Sequence, residues 1–99
     1  MKISIIPSDK SITIDGVGAF ANDGRVAAMA GSDVHAIQYD DSKSIGHIEY
    51  IREMYDPFPK QNEMIHDEFD IDKFKALHVK LLVEADEAAE AEERNQNEL

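Results

Sequence analysis

The chain has no cysteine and no tryptophan, only three prolines, and 10 basic side chains against 21 acidic ones. Without cysteine there are no disulfides, no thiolate metal sites and no cysteine nucleophile. No apolar run approaches the length of a membrane span, and the first residues lack the apolar stretch of a secretory signal, so no membrane partner is expected. The shortage of Lys and Arg leaves a formal charge of -11 at pH 7. A field of that sign opposes nucleic acid and anionic lipid alike. Basic residues are not interleaved with aromatics either, so direct nucleic-acid binding is not expected. What remains is a 99-residue chain, 42% apolar and 31% charged, within the range of one small globular domain.

Charge and pattern both change near the middle. Residues 1–50 carry 4 basic and 7 acidic groups, residues 51–99 carry 6 and 14. Up to about Ile51, Ile, Val, Thr and Tyr alternate with polar residues; beyond Asp70, Ala, Glu, Leu and Lys follow helical spacing. The spacing predicts a small α+β fold: an antiparallel sheet of two β-hairpins, arranged as a meander, followed by a C-terminal amphipathic helix. Residues 1–69 form the β domain with its linker, and 70–99 the helix with an acidic tail. The first hairpin pairs Lys2–Ile6 with Ser11–Asp15 across Pro7-Ser8-Asp9-Lys10; Ile3 and Ile5 share one face of the first strand, Ile12 and Ile14 one face of the second, and pairing those faces gives a half-buried ribbon. Asp15-Gly16 and Asn22-Asp23-Gly24 are turn signals, and Val26–Gly31 suits one short helical turn. The second hairpin runs from Val34 to Tyr39, with His35, Ile37 and Tyr39 sharing a face. It returns through Ile45–Ile51, with Ile48 and Tyr50 sharing a face. Residues 52–69, with Pro57 and Pro59, read as a linker wrapped over the surface.

The C-terminal helix starts near Asp70 or Asp72, where either carboxylate suits the positive helix end. Phe74, Leu77, Leu81, Ala85 and Ala88 lie on one stripe, widened by Val79, Leu82 and Val83. From Glu84 onward there are seven acids and one Arg. That stretch has helix propensity and little to bury, so it projects or frays and ends in a disordered tail from Asn95.

Chemistry-bearing constellations are sparse. His35 and His47 belong to one hairpin and, if opposed, make half a metal site, but no third ligand accompanies them at a defined spacing. Strand-face histidines bonded to neighbours or water are the commoner origin of such a pair. His66 and His78 straddle the helix start and form no i,i+4 pair. Asp67, Glu68, Asp70 and Asp72 lack the glycine and closing glutamate of a calcium loop and fit better as charge at a helix N-terminus. No Ser occupies a nucleophile elbow, and Gly16 and Gly18 lack the third glycine of a phosphate loop. No catalytic residue, metal or cofactor is expected, and the chain reads as non-enzymatic. Two features remain: sheet edges open to strand addition or self-association, and an amphipathic helix with an acidic extension.

The segment Met1-Lys2-Ile3-Ser4-Ile5-Ile6-Pro7-Ser8-Asp9, followed by Ile14-Asp15-Gly16-Val17, resembles a family of short proteins encoded in tailed-phage genomes. The same holds for Val34-His35-Ala36-Ile37-Gln38-Tyr39 with Gly46-His47-Ile48-Glu49-Tyr50, and for Pro59-Lys60-Gln61-Asn62-Glu63-Met64-Ile65, in which two residues are inserted. Tyr39 stands where Trp is usual in that family, and the acidic stretch from Glu84 is longer. The resemblance implies an accessory role in tail-fibre folding or attachment, similar in layout to small fibre chaperones. The location implied is the host cytoplasm during assembly, or the virion. The expected partner is a phage tail or tail-fibre protein, met by Tyr39, Ile48 and Tyr50 on the sheet and by Phe74, Leu77 and Leu81 on the helix. Two other readings stand beside it: a structural virion protein, and an acidic inhibitor that mimics nucleic acid through Glu84, Asp86, Glu87, Glu90, Glu92 and Glu93.

Overall fold

Alternating isoleucines fold Lys2–Ile6 (β1) against Ser11–Ile14 (β2), with Ile3 opposite Ile14 and Ile5 opposite Ile12. The link is a 3₁₀ turn, Pro7–Asp9, closed by Lys10, whose amide donates to the Pro7 carbonyl at 3.0 Å. The structure, a computed structural model, describes residues 1–52, 60–65 and 69–97, with side chains to residue 91. The expected wrapping linker, with Pro57, Pro59 and His66, falls mainly outside the described residues.

Asp15-Gly16 is more than a break in the pattern. With φ of 48° and 83°, the pair forms a two-residue turn that sends the chain back as Val17–Phe20 (β3). Positive φ at both positions suits the right-handed twist of a tight hairpin, and Asp-Gly adopts it readily. Arg25–Ala30 (α1) is the expected short helix. Val34–Asp40 (β4) and Ile45–Tyr50 (β5) form the second hairpin, and Glu63–Met64 (β6) adds a short last strand. The sheet is wholly antiparallel, in the order β3-β2-β1-β4-β5-β6. It has six strands instead of four and is not a simple meander. β1 lies inside, paired with both β2 and β4, and α1 carries the chain back from the β3 edge.

One further expectation is corrected in β4. Val34 pairs with Tyr50 and Ala36 with Glu49, so His35 is the extra residue of a β-bulge. The bulge turns His35 to solvent and re-phases the strand, leaving Val34 and Ile37 both buried. Opposite His47 stands Gln38, so the two histidines do not meet.

Asp72–Asn97 (α2) is one continuous helix. Asp70 Oδ1 accepts the Lys73 amide at 3.3 Å, so Asp70 caps the helix whose first turn holds Asp72. Phe74, Leu77 and Leu81 enter a single core with Ile3, Ile5, Ile12, Ala19, Val26 and Ile37. Fully burying each large aliphatic there contributes roughly 1.5–3 kcal/mol. The predicted stripe is too wide and too long: Val79, Val83, Ala85 and Ala88 face solvent. The helix packs beside β2 and β3, and from Val83 to Ala91 its side chains are exposed except for the half-buried Glu84. The tail expected from Asn95 is helical as far as Asn97. Among the described residues, no helix is long and apolar enough to cross a membrane.

Candidate functional site

The six side chains expected to meet a partner all stand on the helix-covered side. Phe74, Leu77, Leu81 and Tyr50 are buried in the core, and Tyr39 and Ile48 are half-buried against it. Tyr50 is held further by Lys60, whose Nζ lies 3.8 Å from the ring centroid and 3.1 Å from Asp33 Oδ2. Burial, and then the Glu63 carboxylate, push its phenol above the ordinary value. These residues build the chain's own interior.

The positions between them make the opposite face. Cross-strand register places Gly18, Thr13, Ser4, Gln38, His47 and Met64 in one row across all six strands. Lys2, Asp40 and Ile45 form a second row beside it. Among the described residues no helix covers this face, although Ser11 and Ala36, in its row with Phe20 and Glu49, are buried. It holds a shallow concavity of about 460 Å³, lined by Ser4, Thr13, Gln38, His47 and Met64 among others. His47 Nε2 lies 2.9 Å from Glu49 Oε1 on the same face. Its rims are apolar: Phe20 is 67% exposed at one side, Met64 58% and Ile45 50% at the other. The signal was in the sequence, because the residues flanking each core isoleucine are the ones that point outward.

The sheet has two edges. β6 is two residues long, which offers little to pair with. β3 is four residues, Val-Gly-Ala-Phe, without charge or proline. In a two-residue hairpin the pair flanking the loop exchanges both backbone bonds, here Ile14 with Val17, and the alternation gives Ile12 with Ala19 the next set. Gly18 and Phe20 therefore turn their N–H and C=O groups outward. The Phe20 ring lies over Gly18, where an added Cβ would stand 3.5 Å from Cε2. At the start of the edge His78, buried in α2, donates from Nε2 to the Val17 carbonyl at 2.8 Å, which fixes the helix to the strand. Arg25 Nη1 binds Glu84 Oε2 at 2.9 Å and ties α1 to α2.

Such an arrangement suits recognition: a main-chain edge, an apolar flank, and a polar sheet face beside it. No family model, curated protein or solved structure matches the chain.

Proposed function

We propose that the chain is a non-enzymatic protein-binding module that takes an extended segment of its partner onto the β3 edge. The observation that carries this reading is the uncharged edge Val17–Phe20, with outward backbone groups at Gly18 and Phe20. Native sheets guard their edges with charge, proline or extreme shortness, and β3 uses none of the three. Main-chain bonds supply affinity in strand addition, and Phe20 supplies an apolar contact beside them. The resemblance of the hairpin segments to tailed-phage proteins supports a tail-fibre protein as the partner and assistance with its folding or attachment as the role.

Co-expression with the fibre protein tests it. The native chain should raise the yield of soluble, folded fibre, and Gly18→Pro, which deletes an outward N–H without disturbing the β2 pairing, should abolish the gain. Fibre that folds equally well without this chain removes the role.

A second reading rests on the exposed helical extension, which carries Asp86, Glu87 and Glu90, while Glu84 is engaged by Arg25 and Glu92 and Glu93 lie outside the described side chains. An acidic helix of this kind supports mimicry of a nucleic-acid backbone toward a host defence enzyme. Binding of that type weakens steeply with added salt, whereas strand pairing barely responds.

A further inference from the structure

The open sheet face carries an inference separate from the β3 edge. We infer that two copies of this chain pack open face to open face, as the two sheets of a β-sandwich. An antiparallel sheet tolerates a wet face when its outward positions are polar. Here both rims are apolar, with Phe20 on β3 at one side and with Ile45 on β5 and Met64 on β6 at the other.

The face is complementary to itself. A two-fold axis along the strands, midway between β1 and β4, lays β1 over the partner's β4 and β3 over the partner's β6. Lys2 then meets Asp40 of the second copy, because the two occupy the same row. Ser4 meets Gln38, and Thr13 meets His47, within the polar centre. Met64 meets Gly18, where the missing side chain and the overlying Phe20 ring make an apolar seat.

Charge favours this pairing over the alternatives. By register the open face carries Lys2, Asp40 and Glu49, the last beside His47, and is close to neutral. The acids of α2 lie on the other face. Stacking the open faces puts the two helices outermost, about three layer spacings of about 10 Å apart and beyond the roughly 8 Å screening length. Pairing through α2 would set acid against acid. The area is adequate: six strands at about 4.8 Å spacing and about five residues long give roughly 500 Å² in plan, and side-chain relief brings this to the roughly 600 Å² per partner of a small stable interface.

Sedimentation of the full chain tests the proposal. The native protein should have the mass of two chains, and Ile45→Lys with Met64→Lys should halve it without changing the circular dichroism melt. Val17→Lys, which puts a charge on the β3 edge at a position turned away from the open face, should leave it dimeric, which separates this face from the edge. A native chain that stays monomeric at its solubility limit overturns the inference, as does a dimer dissolved by Val17→Lys and not by the two open-face lysines. Should the lysine variant fail to fold, dilution of the native protein decides: the Met64 and Ile45 methyl resonances should shift while those of Val79 and Val83 stay fixed. The opposite pattern overturns it.

Discussion

Gly46 shows how tightly single positions are set. A Cβ there would press on the Gln38 carbonyl and stand 2.7 Å from Tyr39 Cδ2 and 2.9 Å from Ile65 Cδ1. Backbone cannot yield as a side-chain tip can, so Gly46→Ala should cost about 1–3 kcal/mol in a urea melt. Phe74 is fully buried and stacks on Phe69 at 5.9 Å between centroids. Phe74→Ala should cost about 3–5 kcal/mol in the same experiment. Three carboxylates lie below their ordinary range: Asp23 through its hydrogen bond from Arg25, Asp33 through Lys60, and Asp40 through the Ser42 hydroxyl at 2.6 Å. The unfolded chain binds these protons more readily than the folded one. Their contribution to stability is therefore complete above the usual carboxylate value near pH 4 and is lost as the pH falls through the lower folded values. Melting temperature should drop across that window, and Asp23→Asn together with Asp40→Asn should flatten the drop.

At the scale of elements, α2 packs through Phe74, Leu77 and Leu81, while its side chains from Ala85 to Ala91 are exposed. Deleting residues 85–99 should move the melting temperature only slightly, because Phe74, Leu77, Leu81 and the Arg25–Glu84 pair all remain. Leu81→Ala should cost about 2–5 kcal/mol by calorimetry. The elements with strong local patterns were legible in the sequence: the Ile3/Ile5 and Ile12/Ile14 faces, α1, the second hairpin, and a helix starting near Asp70 or Asp72. β3 was not, because a glycine at its second position and only four residues give no alternation to read. The bulge at His35 was hidden too, since an extra residue is visible only once the partner strand is in place. Burial of Tyr39, Ile48 and Tyr50 follows from which face the helix chose. Periodicity says that a strand has two faces, and only the docking of α1 and α2 decides which one remains open. The contact residues were accordingly sought on the apolar side, while their neighbours Ser4, Thr13, Gln38 and His47 stand half-buried on the opposite face.

For the whole molecule, two surfaces divide the work. On the reading proposed above, the open face takes a second copy and the β3 edge takes a strand of a different chain. Stacking the faces leaves the edge accessible, so a dimer would present two such edges at once. That geometry predicts two partner segments per dimer, countable by native mass spectrometry of the co-expressed complex. The central claim concerns the edge, and amide hydrogen exchange reads it directly. In the free chain Gly18 and Phe20 should exchange rapidly, and in complex with the fibre protein both should become protected, while the Val79 and Val83 amides keep the same rates. Unchanged exchange at Gly18 and Phe20 in a complex that has demonstrably formed would contradict the account.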